Sequence, residues 1–230
     1  MKMVIFGNEN DIILSSDWVS VLEIQNKRLF GSYVGALYSQ INGNNENKSI
    51  HLYDGGKELD LKKNILYISD LLSFNFNDRS ILGGLQKKLE RIQLNEIEQW
   101  NSIENKYLEF YSNAMDLICE VDLDIESSST ISIAKILKVF EIKIIDTNEH
   151  TYLDKLIMLI DVVSEIELSL VIVFINLKSY LDPNDLIEFY KYSAYRKIQI
   201  LLIESSSCIE EIKYERKIII DIDFDEILIT

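Results

Sequence analysis

Glu120, Asp122, Asp124 and Glu126 alternate with Val121, Leu123 and Ile125, a spacing at which four carboxylates can act together. In an extended backbone alternate residues point to the same side. The four would then form a cluster that repels itself unless a hard cation with oxygen ligands compensates. The run is not an EF-hand, because Asp122-x-Asp124 opens that pattern but the turn glycine and the distal glutamate are missing. A solvated acidic face is the other reading, and spacing alone leaves both open. The second acidic run, DIDFDE at residues 221–226, reads as a solvated strand end.

Phosphate chemistry is the next candidate. A phosphate-loop hydrolase runs its first strand into GxxxxGK[ST], whose amides and lysine hold the phosphates. The corresponding passage here, WVSVLEIQNKRLFGSYVGAL, has neither the glycine spacing nor a Lys-Ser/Thr pair. Gly31 and Gly35 fall inside the following helix, where a small residue serves packing. Lys27 and Arg28 at the helix start can attract phosphate or form a solvated first turn. The strand VIVFIN ends in Asn176, where a magnesium-binding carboxylate would be wanted. Nucleotide hydrolysis is not expected. His51 and His150 sit in no HExxH or comparable metal motif, and no GxSxG elbow occurs. Ser127 to Thr130 reads as a linker supplying the cap of the helix ISIAKILKVF. Cys119 and Cys208 lack CxxC spacing and read as free thiols. The chain is not expected to be an enzyme.

These residues must be carried by a framework, which the apolar pattern reveals. Leu170 to Ile175 and Ile198 to Ile203 are short β-branched runs suited to strands covered on both faces of a parallel sheet. Between them Asp182 can cap a helix, Pro183 suits its first position, and Leu186, Phe189 and Tyr190 form one apolar face. The result is a parallel βαβ unit. Met3–Phe6, Trp18–Ile24 and Asn64–Ile68 read as further strands, and Lys27–Ile41 as a helix. Ser49–Tyr53 and Lys57–Leu61 flank Asp54-Gly55-Gly56 as a hairpin, after a polar turn at residues 43–48. From Asp78 to Phe140 the pattern turns helical. Trp100, Ile103, Tyr107, Phe110, Ala114 and Leu117 repeat at 3, 4, 3, 4, 3, an apolar seam. The seam is expected to pack on Ile81, Leu85, Leu89 and Ile92 of the preceding helix, a purely oligomeric contact being the alternative. A single helix over residues 95–118 would be about 36 Å long and would project. The expectation is therefore an α/β head at residues 1–77 and 141–230 with a helical leg inserted at 78–140.

Composition sets the limits. The chain has 230 residues, 47% of them hydrophobic and 27% charged, which suits a folded, soluble protein. Its longest apolar run, near residues 168–177, is too short to span a membrane, and the first residues lack a signal-peptide core. A cytoplasmic location is the default. The net charge of −15 opposes nucleic-acid binding on average, so any such binding requires a local basic surface.

The ordered set of features resembles one family. ILYISDLLSFNFNDRSIL (residues 65–82), ICEVDLDIESSSTISIAKILKVFEIKI (118–144), LVIVFINLKSYLDPNDLIEFYKYS (170–193) and ILLIE (200–204) are similar to the subtype II-A CRISPR-associated adaptation protein. The resemblance departs at the GNNENKSIHLYDGGK insertion. It implies a phosphate-loop-hydrolase-like head without its phosphate loop, plus the helical leg. It implies a homotetrameric, calcium-stabilised ring that encircles double-stranded DNA at its ends through a lysine-lined hole. It also implies a part in spacer acquisition beside the CRISPR integrase complex and the effector nuclease. Glu120, Asp122, Asp124 and Glu126 are then the expected calcium ligands. Lys87, Lys88, Arg91, Lys135 and Lys138, placed on leg helices, are the expected phosphate contacts, ordinary solvated lysines being the alternative. A diverged nucleotide hydrolase and a protein scaffold of the adaptation complex are the competing functions.

Overall fold

The computed structural model describes residues 1–44, 48–146, 151–168, 171–206 and 212–229. Part of the polar turn at residues 43–48, His150, Leu170 and Cys208 lie outside the described residues. The chain divides into an α/β unit, Met1–Asn75 with Thr147–Thr230, and a helical unit, Phe76–Asp146.

The α/β unit is mixed, with a mostly parallel sheet. Its strands are β1 (Lys2–Ile5), β2 (Ile12–Ile13), β3 (Val19–Ile24), β4 (Ile50–Asp54), β5 (Lys57–Leu59), β6 (Ile65–Ile68), β7 (Val171–Ile175), β8 (Gln199–Glu204), β9 (Glu215–Ile220) and β10 (Glu226–Ile229). Six of them form a sheet in the order β10-β9-β3-β8-β7-β6. Every neighbouring pair is parallel except β9 with β10. The other four make a small antiparallel sheet, β2-β1-β4-β5. The hairpin of the inserted segment supplies β4 and β5, with Gly55 and Gly56 at positive φ in its turn, as the Asp-Gly-Gly spacing requires.

Helices cover both faces of the large sheet. On one face Leu22, Ile24, Val173, Leu201, Ile203 and Ile220 pack in a core that includes Leu37 of α1 (Lys27–Ile41) and Leu52 of the small sheet. A four-residue helix, α2 (Leu61–Asn64), leads into β6. The other face is that of Phe174, which meets the Phe189 ring of α7 (Pro183–Tyr195) edge-on at 5.8 Å. Within α7, Asp182 caps by accepting from Asn184 and Asp185 amides, Pro183 opens the helix, and Leu186, Phe189 and Tyr190 are buried. The sequence pattern thus translates directly into a βαβ unit whose strands, β7 and β8, are parallel neighbours.

Two local expectations change. Gly31 and Gly35 are exposed on α1, and beyond their own helix backbone and chain neighbours nothing among the described residues lies within 4 Å of where their Cβ atoms would be, so they serve no packing among the described residues. The cap of α5 (Ile133–Val139) is Ser132, whose hydroxyl accepts from the Lys135 amide, and not the preceding serine run.

The helical unit contains α3 (Arg79–Asn95), α4 (Ile97–Ile118) and α5, before α6 (Tyr152–Glu165) returns the chain to the α/β unit. Asn77 closes the helical unit on itself, its Nδ2 donating to the Ile144 carbonyl at 3.0 Å and its Oδ1 accepting from the Ile144 amide at 2.7 Å. The expected packing of the α4 seam on α3 does not occur. No residue of α4 is buried, and Phe110 and Leu117 are 69% and 71% exposed. The cause is the junction: Glu96 alone separates the two helices, whereas an antiparallel helix pair needs a loop of 2–5 residues. At 22 residues, α4 is about 33 Å long. Among the described residues, no helix is long and apolar enough to cross a membrane.

Candidate functional site

The acidic segment follows directly from the end of α4. The Cys119 amide donates to the Met115 carbonyl at 2.8 Å, ending the helix, and the Leu123 amide then donates to the Val121 carbonyl at 2.9 Å. That second bond closes a three-residue turn centred on Asp122, so the segment is bent where an extended strand would be straight. Its side chains therefore do not alternate cleanly between two sides. Glu120, Asp122 and Asp124 nevertheless line one open depression of about 460 Å³, with Glu126 outside its lining. All four are exposed. Their oxygens are the donor type a hard cation such as calcium takes. Among the described residues, no three His, Cys, Asp or Glu side chains are gathered closely enough to form a ready-made metal cage.

The five expected DNA contacts fall in two places. Lys87, Lys88 and Arg91 lie on α3, with Lys87 and Arg91 exposed and Lys88 half-buried. Lys87 and Arg91, four residues apart, share a helix face. Lys135 and Lys138 lie on α5, where they join Lys106 of α4 around a groove of about 670 Å³. The floor of that groove is apolar, built from residues such as Ile103 and Phe110 of α4 and Val139 with Phe140 beside α5. The Lys135 ammonium also donates to the Thr130 carbonyl.

The passage from β3 into α1 shows what stands in place of a phosphate loop. Asn26 Oδ1 accepts from the amides of Arg28 and Leu29 at 3.0 and 3.2 Å. The first amides of α1 thus have a side-chain partner of their own, the ordinary N-cap solution. At the end of β7, Asn176 adopts a left-handed conformation, φ 53°. Its amide donates to the Ile203 carbonyl at 2.9 Å and its Oδ1 accepts from the Ser205 amide at 2.8 Å. Asn176 is a staple between the ends of β7 and β8. His51 Nδ1 lies 2.8 Å from Glu58 Oε1 across the β4–β5 hairpin, and its ring stacks on Tyr53.

The α/β unit also holds an ionic cluster that the sequence reading missed. Glu23 of β3 and Glu204 of β8 are register partners, so their side chains stand beside one another on one sheet face, at 0% and 1% exposure. Lys178 Nζ bridges Glu23 Oε1 at 3.0 Å and Glu215 Oε1 at 2.9 Å. Lys217 Nζ reaches Glu23 Oε1 at 3.1 Å, and the Tyr190 hydroxyl donates to Glu215 Oε1 at 2.7 Å. Three carboxylates thus share two ammonium groups. Glu204 is the one in excess: its Oε1 accepts from the Lys178 amide at 3.1 Å, while its Oε2 has no hydrogen-bond partner among the described residues. Burial, more than any other influence, pushes its carboxyl up to about 7. Burial pulls Lys178 the other way, but Glu215 and Glu23 outweigh it and hold the ammonium above its ordinary value. The signal in the sequence was charge set against apolar residues in three strands, VSVLEI, QILLIE and ERKIII.

Known proteins place this architecture. A CRISPR-associated protein Csn2 of Streptococcus agalactiae is 23% identical over 197 residues, 85% of this chain and 85% of that protein. The crystal structure of Stu0660 of Streptococcus thermophilus shares the fold at a TM-score of 0.61 and 12% identity, covering 100% of this chain and 76% of that one. The family model for the CRISPR-associated protein Cas_Csn2 matches residues 40–224. That match takes in the acidic segment, the helical unit and the βαβ unit, and by it the chain belongs to the Csn2 family of CRISPR-associated proteins.

Proposed function

We propose that this chain is a non-catalytic protein that assembles into a homotetrameric ring around double-stranded DNA, loading at ends, and assists spacer acquisition in antiviral defence. The observation that carries the reading is the α4 seam: a 22-residue helix with no buried residue, whose Phe110 and Leu117 are exposed, presents an apolar face of the kind that assembly covers. The closed start of α1, with Asn26 on its amides, supports a head that builds rather than hydrolyses. Calcium at Glu120, Asp122 and Asp124, with Glu126 close in sequence, would bring the hard positive charge those carboxylates lack. Lys87, Lys88, Arg91, Lys135 and Lys138 are the proposed phosphate contacts. A ring with bases turned inward accommodates the net charge of −15, because contact with phosphates is local and salt-dependent. The CRISPR integrase complex and the effector nuclease are its proposed partners.

Threading is the testable core of this reading. Linear duplex is expected to bind more tightly than closed circular duplex of equal length, at matched salt and calcium, in a gel-shift or filter assay. Equal binding to both forms rules threading out.

A further inference from the structure

The buried ionic cluster of the large sheet carries an uneven charge. The ammonium groups of Lys178 and Lys217 are both committed to Glu23 and Glu215, each lying within 3.7 Å of the two carboxylates. Glu204 is left over, buried and with Oε2 unpartnered among the described residues. Ionised there, it is an interior charge without a counter-ion of its own, which is strongly unfavourable. The groups around it are Glu23 on β3, Glu215 and Lys217 on β9, Lys178 in the turn after β7, Tyr190 on α7 and Tyr152 on α6. Burial, with Glu215 next, holds the Tyr190 hydroxyl well above its ordinary value, and burial, with Tyr180 next, pushes Tyr152 up to about 12. Both phenols therefore stay neutral as pH passes through 7, and Lys178 stays charged. Glu204 changes its charge in that range. It is also tied to two backbone segments at the carboxyl edge of the sheet. Its Oε1 accepts from the Lys178 amide of the short turn Leu177–Ser179, and the next residue, Ser205, donates its amide to Asn176 Oδ1. For an ionised Glu204 to reach water, those bonds must open.

We propose that the proton on Glu204 is a latch for the carboxyl edge of the large sheet: with it on, the Asn176 staple and the turn Leu177–Ser179 are closed, and with it off they open to admit water. The sign follows from a carboxyl raised to about 7: the closed form dominates below neutral pH, and opening grows as pH rises through that value. The free energy of one buried proton is thereby spent on local opening, with the rest of the sheet left intact. The latch lies outside the ring reading and uses none of the residues assigned to calcium or phosphate.

Hydrogen exchange read by mass spectrometry on the full chain tests it, at pH 6 and pH 8 with labelling times scaled to the intrinsic chemical rate. The ionised fraction of a carboxyl that titrates near 7 rises about tenfold between these values, so peptides covering Asn176–Tyr180 and Glu204–Ser206 are expected to exchange about tenfold faster at pH 8. Peptides from α1 and the small sheet are expected to change by less than about twofold. Glu204→Gln, neutral at both values, is expected to remove the difference. A rise shared evenly by all strands overturns the latch, as does a rise that Glu204→Gln retains. Infrared spectra read the proton without any variant. The carbonyl band of a protonated carboxyl is expected at pH 6 and lost by pH 8, and its absence at pH 6 overturns the inference. If added potassium or sodium restores protection at constant pH 8, the cluster takes a cation in place of the proton and the latch falls.

Discussion

The side chain most exposed to consequence is Glu204. An ordinary glutamate titrates near 4.5, and burial raises this one to about 7. A carboxyl whose folded-state value is raised binds its proton more tightly in the folded chain than in the unfolded one. Its contribution to stability is therefore complete below about pH 4.5 and is lost as pH rises to about 7. The gap corresponds to roughly 3 kcal/mol. Glu204→Gln keeps the shape and stays neutral, so urea unfolding at pH 5, 6, 7 and 8 is expected to show a falling midpoint for the wild type and a flatter one for the variant. Parallel pH profiles for the two would refute the assignment. None of this cluster was legible as a cluster. Glu23, Glu204 and Lys217 were visible as charges set against apolar residues, but their partners come from three different strands and from the turn at Lys178. Pairing between strands far apart in sequence is set by register, which a single chain does not spell out. The acidic segment was the reverse case: its residues were obvious, and its bend at Asp122 was not, because alternation suggests extension whereas a local amide-to-carbonyl bond decides the backbone.

At the scale of elements, α1 and α4 show what periodicity reveals and what it omits. The bounds of α1, Lys27–Ile41, and the capped start of α7 were readable from local chemistry. So were β3, β6, β7 and β8 of the large sheet, since β-branched apolar runs of that length have few other uses, whereas β9 and β10 went unread. The α4 seam was readable too, but a periodic apolar face states only that something covers it. The single residue Glu96 between α3 and α4 decides that α3 does not, and a junction that short carries no signature in the hydrophobic pattern. The α1 glycines make a further test. Gly31 and Gly35 are interior, exposed and uncrowded, and each costs about 1 kcal/mol relative to alanine in such a position. Gly31→Ala and Gly35→Ala are each expected to raise stability by about that amount, read as a higher urea midpoint. A variant that gains stability but loses assembly or DNA binding would identify the glycine face of α1 as a contact surface.

For the whole molecule, composition was informative mainly through its sign. An acidic chain of net charge −15 repels its own copies at long range, so bringing copies together requires local neutralisation. Calcium at the Asp122 depression would supply it. Titration calorimetry on EDTA-stripped protein is expected to show calcium binding with an accompanying rise in sedimenting mass, and Asp122→Asn with Asp124→Asn is expected to weaken both. No heat and no change in mass would remove calcium from the proposal. The topology of the large sheet has one more implication, for the order of events during synthesis. Strand β3 leaves the ribosome early, yet its two neighbours are β8 and β9, made only after the whole helical unit has emerged. Until then Val19–Ile24 is an apolar ribbon with both edges open, the kind of strand that waits in danger of pairing with the wrong chain. Completing the sheet is thus a late, non-local closure, and the nascent chain is most vulnerable to aggregation in the interval between making its central strand and making the strands that enclose it.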